Sequence, residues 1–204
     1  MGLIRLCQAV FRLIACLILI HGATAVALAG EATEQIRETT EELIAVLTDP
    51  ALQDPGRAQE KRELIRTIAD KRFDWEEAAS RSLARHWVQR TDQEKREFVA
   101  LFSDLLEATY MDKVDNYSGE EVLYVGENTD GDYGVVQVKI VTTTDIEIPV
   151  EYRVKRREDG WVVYDISVEG VSLINNYRTQ FNSIILKSSY QDLVKRLKAK
   201  LAKK

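Results

Sequence analysis

Residues 161–181 read WVVYDISVEGVSLINNYRTQF, and this stretch restricts the fold more than any other part of the chain. It follows a turn signal, Glu158-Asp159-Gly160, and continues as β-branched and aromatic residues until Gly170. Ile174, Tyr177, Phe181, Ile184 and Ile185 then recur at helical spacing. A strand therefore passes almost directly into a helix, and the pair must fold one apolar face onto the other. Asp165, Glu169, Ser172, Asn175, Asn176 and Arg178 lie beside or within that seam.

Upstream, the period of two persists. Strands are predicted over 121–127, 134–143, 146–155 and 161–168, joined by the short polar turns Asp130-Gly131-Asp132, Thr144-Asp145 and Glu158-Asp159-Gly160. Short turns between long strands give an antiparallel meander. In the third strand Ile146, Ile148, Val150, Tyr152 and Val154 alternate with Glu147, Glu151, Arg153 and Lys155, so one side is wet and the other carries the core. Ahead of the meander the pattern is helical. Ile36, Leu43, Ile44 and Leu47 share one side of a first helix that stops near Asp49-Pro50, and Leu64, Ile65 and Ile68 mark a second. Asp74-x-x-Glu77 and Thr91-x-x-Glu94 have capping-box spacing and open two more. The expected fold class is α+β, a sheet of about four strands wrapped by N-terminal and C-terminal helices.

With 204 residues, 45% hydrophobic and 30% charged, the chain has enough apolar material for one globular domain. Residues 1–29 read as a secretory leader: Arg5 and Arg12 precede the apolar run 13–20, and Ala27-Leu28-Ala29 supplies the small residues of a cleavage site. Residues 30–204 are then the single mature domain. The alternatives are a retained anchor, or acylation at Cys16 after Leu13-Ile14-Ala15. Cys7 and Cys16 both lie in the leader, so the mature chain has no thiol, which suits a bacterial periplasm. The net charge of -5 argues against nucleic acid as a partner. Lys195, Arg196, Lys198, Lys200, Lys203 and Lys204 form a basic C-terminal cluster, either a solvated helix face or a docking patch.

Little catalytic chemistry is available. His21 lies in the leader, leaving His86 alone, and without cysteine no imidazole or thiolate cluster can hold a metal. No glycine loop of phosphate-binding type is present. Asp165 and Glu169, near Tyr164, form the one candidate acid/base pair, since burial raises a carboxyl pKa. The alternative is that Asp165 bonds a neighbouring backbone group or Arg178.

The motif Trp161, Tyr164-Asp165-Ile166, Glu169-Gly170-Val171-Ser172-Leu173-Ile174, Tyr177-Arg178, Gln180-Phe181 resembles the MlaC family, also called the toluene-tolerance family. The likeness runs from about residue 34 to 201 and is most specific in the C-terminal half. It implies a periplasmic phospholipid carrier, not an enzyme, with an NTF2-like (cystatin-like) sheet and an apolar pocket for acyl chains. It also implies no cofactor besides the phospholipid cargo. The implied partners are an inner-membrane lipid-transport ABC complex and an outer-membrane lipoprotein complex, met by a monomer, in maintenance of outer-membrane lipid asymmetry. Hopanoid-associated exported proteins share much of the pattern, so a hopanoid-related carrier is one alternative. A small NTF2-like isomerase or dehydratase using Asp165 is another.

The candidate pocket walls are Phe98, Phe102, Leu105 and Tyr110 on a helix; Val136, Val138, Ile148, Val150, Tyr152, Tyr164 and Ile166 on strands; and Leu173, Ile174, Tyr177 and Phe181 on the last helical stretch. For each of these the alternative is an ordinary filled core. Asp165, Glu169 and Arg178 are expected as structural or rim polar groups, with Arg178 pairing Asp165 or Glu169.

Overall fold

A computed structural model describes residues 30–202. The predicted leader, together with Lys203 and Lys204 of the basic cluster, lies outside the described residues. Helix α1, Glu31–Thr48, stops where Asp49 turns extended ahead of Pro50, because a residue before proline is pushed out of the helical region. Two single 3₁₀ turns lead to α2, Ala58–Arg72. Asp74 caps α3, Trp75–Leu83, by accepting from the Glu77 backbone N–H at 2.9 Å. Only that half of the predicted capping box forms: the Glu77 carboxylate instead takes Lys155 at 2.7 Å and Arg81 at 2.8 Å. The box opening α4, Asp92–Asp115, is complete, with Glu94 N–H on Thr91 Oγ1 and Thr91 N–H on the Glu94 carboxylate.

The meander follows as β1 Glu121–Asp130, β2 Tyr133–Val141, β3 Glu147–Arg157 and β4 Gly160–Val168. Each strand is hydrogen-bonded antiparallel to the next. A fifth strand, β5 Val171–Ser172, was not foreseen. Glu169 and Gly170 both take positive φ, 50° and 79°, and this tight reversal returns Ser172 to Ser167. Beyond it lie α5, Leu173–Lys187, and α6, Tyr190–Leu201, separated where Ser189 accepts from the Asp192 N–H to start a new helix.

The apolar interior is divided into two clusters. One lies among the helices, built on Phe98, Phe102, Leu105, Phe181 and Leu193. The other lies on the sheet face toward α1, where Ala32 and Ile36 cover Val136, Val138, Val150, Val154, Trp161 and Val163. The N-terminal end of α1 is fastened to the sheet from both sides. Thr33 donates its N–H and hydroxyl to Glu127, at 2.7 and 2.8 Å, and Gln35 Oε1 accepts the Trp161 N–H at 2.7 Å. Gly160, at φ 113°, makes the last contact possible, since a Cβ there would sit 2.7 Å from the Gln35 amide. The remaining edge of β4 is closed by a parallel bridge from Phe73 to Val163.

Candidate functional site

The candidate wall residues separate into three groups. Phe98, Phe102, Leu105, Ile174, Tyr177 and Phe181 are buried against one another between α4 and α5. Their rings interlock: Phe102 meets Tyr177 and Phe181 edge-on at 5.4 and 5.7 Å, and Phe98 meets Phe181 at 5.7 Å. They expose almost no surface. Val136, Val138 and Val150 are likewise buried, beneath the first half of α1.

The second group is only partly covered. Ile148, Tyr152 and Ile166 lie on the inner face of the sheet, beside Val122, Tyr124 and Ile140, which the sequence reading missed. All six keep some accessible surface although they point toward the core side. The second half of α1 behaves alike, with Leu43, Ile44 and Leu47 half-buried while Ile36 of the first half is buried. Tyr110 on α4 and Leu173 on α5 are half-buried at the border of the helical cluster. Tyr152 is the informative case. Burial, and then the neighbouring Tyr124, pushes its phenol up to about 12, and the residue stays half-buried. Burial also raises the phenols of Tyr124 and Tyr110.

Tyr164 does not belong to this set, contrary to expectation. Arg153 opposes Asp165 whereas Val154 opposes Val163, so Tyr164 is the extra residue of a β-bulge. Its ring turns to the outer face, edge-on to Tyr133 at 6.0 Å and with the Arg81 guanidinium 4.2 Å from its centre.

That bulge borders a second, polar concavity of about 1000 Å³ on the opposite face from Tyr152 and Val154. Asp165 forms its floor, 5% exposed, with both oxygens engaged: Ser172 Oγ donates to Oδ2 at 2.6 Å and the Ile174 N–H to Oδ1 at 3.0 Å. Ser172 Oγ in turn accepts the Asn175 N–H at 3.0 Å, which makes Asp165 and Ser172 a two-residue cap on α5. A carboxylate so bonded anchors the strand-to-helix joint. Arg178 pairs with neither Asp165 nor Glu169. It donates to the Asn175 side chain, and the guanidinium nearest Asp165 is Arg153, at 3.9 Å. The cap orients Asp165 toward the helix start, while Arg178 lies one turn along on the exposed side of α5. Glu169 is exposed at the β4–β5 turn, where its N–H bonds Pro149 O at 2.9 Å. Among the described residues no group of three or more His, Cys, Asp or Glu side chains could hold a metal ion.

The helices and the five-stranded antiparallel sheet make an α+β domain. The family model described as MlaC protein matches residues 37–199, and the chain belongs to the MlaC family. It is 21% identical over 127 residues to the intermembrane phospholipid transport system binding protein MlaC of Haemophilus influenzae, covering 60% of this chain and 59% of that protein. The chain thus spans under two thirds of the length of that curated relative. Among solved structures, the phospholipid-binding protein of Ralstonia solanacearum, in complex with a phospholipid, is similar with a TM-score of 0.76 at 25% identity. The likeness covers 85% of this chain and 98% of that one.

Proposed function

We propose that this protein is a periplasmic carrier, not an enzyme, which holds a phospholipid by its acyl chains in the cleft between the inner face of the sheet and the helices. The observation that carries the proposal is the part-covered apolar surface that Ile148, Tyr152 and Ile166 keep on the inner face of the sheet, together with the half-buried Leu43, Ile44 and Leu47 of α1. A domain of this size ordinarily closes one contiguous core. Two apolar clusters with part-exposed residues along their borders leave hydrocarbon-sized surface to be covered by something other than protein. Membership of the MlaC family and likeness to a phospholipid-bound structure supply the chemistry of that filling.

The energetic need is plain. Each methylene withdrawn from water gains about 0.8 kcal/mol, so two acyl chains in the aqueous phase cost on the order of tens of kcal/mol. Only an enclosed apolar site makes passage between membranes possible, and it must be about as apolar as a bilayer if lipid is both to load and to leave. Delivered by the leader of residues 1–29, the carrier would collect cargo at one membrane complex and release it at another, an outer-membrane lipoprotein complex and an inner-membrane ABC transporter.

The test is direct. Protein purified from Gram-negative cells is extracted with solvent and analysed by mass spectrometry, with about one phospholipid per chain expected. Lipid-free protein is then offered vesicles containing a fluorescent phospholipid. Failure to carry lipid in both experiments overturns the proposal.

A further inference from the structure

The outer groove is a site in its own right. Strand alternation places Arg153 across the sheet from Tyr152 and Val154, so whatever occupies the groove is separate from anything held in the inner cleft. Three arginines line it, Arg81, Arg153 and Arg178, against a single carboxylate, Asp165, whose oxygens are already bonded. Arg153 and Arg178 have spare capacity. Among the described residues, Arg153 approaches a carboxylate only at 3.9 Å, and the one partner of Arg178 is the Asn175 side chain. Arg81 is held in place by Glu77 and the Tyr164 ring, and Glu77 is itself shared with Lys155. Such a surplus of cations on a chain of net charge -5 favours an anionic partner.

Size and shape select among anions. A volume of about 1000 Å³ is far larger than one phosphate or carboxylate fills, given that a water takes about 30 Å³. A bilayer surface meets protrusions, whereas these guanidiniums line a hollow. The exposed Asn175, Asn176 and Thr179 add amide and hydroxyl groups able to pair with an extended backbone. We propose that the groove between α3, α5 and the outer face of β4 docks an acidic peptide segment of a partner protein, with Arg153 and Arg178 pairing its carboxylates. This does not depend on the lipid reading, and its failure would leave that reading standing.

The experiment uses ¹⁵N-labelled protein and observes the arginine Nε–Hε signals while an extended, glutamate-rich peptide of about eight residues is added. Parallel titrations use inorganic phosphate and phosphatidylglycerol vesicles. The signals of Arg153 and Arg178 should move with the peptide, and Arg153→Glu with Arg178→Glu should weaken binding about tenfold or more. Lys195→Glu, in the basic stretch of α6, should leave binding unchanged. If the double variant does not fold, Arg178→Gln on the exposed side of α5 gives the same readout at smaller amplitude. Peptide binding that moves α6 and not the groove arginines overturns the proposal. So does phosphate matching the peptide at equal concentration, or binding to vesicles that depends on Arg178 while the peptide does not bind.

Discussion

Replacing Asp165 tests the joint between sheet and helical layer. Asp165→Ala removes the acceptor of the Ser172 hydroxyl and of the Ile174 N–H, both in a region 5% exposed at Asp165. A hydrogen bond to a charged group contributes about 1.5–3 kcal/mol, and a buried N–H left without a partner costs about 1–3 kcal/mol. Loss of a negative charge beside the α5 N-terminus adds about 0.3–1 kcal/mol. Together these give about 3–7 kcal/mol, a large share of the 5–15 kcal/mol typical of a domain. Asp165→Asn keeps one carbonyl oxygen for the Ile174 N–H and is expected to cost about 1–3 kcal/mol. Urea denaturation followed by circular dichroism measures both, and lipid uptake is measured on whatever remains folded. The ordering Ala worse than Asn, with uptake retained by folded Asp165→Asn protein, is expected. An Asp165→Ala protein within about 1 kcal/mol of the parent refutes the structural role, because an anchoring carboxylate cannot be removed so cheaply.

Phe102→Ala, at the centre of the interlocked rings, should cost about 3–5 kcal/mol by urea denaturation, since that cluster has no spare volume to collapse into. Ile148→Trp should do the opposite: stability within about 1 kcal/mol of the parent but reduced lipid uptake, because the added ring enters open space; destabilisation above about 2 kcal/mol would mean the space is already filled. For Glu77, burial works against the charge, but the hydrogen bonds from Lys155 and Arg81 outweigh it and hold the carboxyl below its ordinary value. A lowered folded-state pKa stabilises above the unfolded value of about 4.3 and is lost as pH falls through the folded one, so Tm should drop below about pH 4, less steeply in Glu77→Gln. Tyr152 has the reverse sign: raised to about 12, it stabilises below the unfolded value of about 10 and that contribution is lost between about pH 10 and 12, which absorbance at alkaline pH should register as a late-ionising tyrosine.

The meander was readable because every signal for it is local: alternation fixes the faces and Asp130-Gly131-Asp132 or Glu158-Asp159-Gly160 fixes the turns. The Thr91 cap was readable for the same reason. The Asp74 box half failed because Lys155, far along the chain, competes for the Glu77 carboxylate. Tyr164 was assigned to the wrong face because a bulge shifts the alternation by one residue and nothing in Val163-Tyr164-Asp165 announces it. Whether Phe102 or Ile148 lines a cleft was beyond the pattern, since both read as inward apolar residues; one is enclosed by rings from α5 and the other is not. The outer groove escaped notice because Arg81, Arg153 and Arg178 come from three elements that only the folded chain brings together.

The order of the strands also bears on how the chain reaches this state. Since each strand pairs with its sequence neighbour, the sheet can zip hairpin by hairpin with small loops to close. The first helix cannot join so early. Its fastenings, Thr33 to Glu127 and Gln35 to Trp161, span 94 and 126 residues, and the second partner is made only when β4 has been laid down. Docking of α1 therefore closes far longer loops than any hairpin does, at a greater cost in chain entropy, and until it happens the greasy side of the sheet is bare to whatever apolar molecule is at hand.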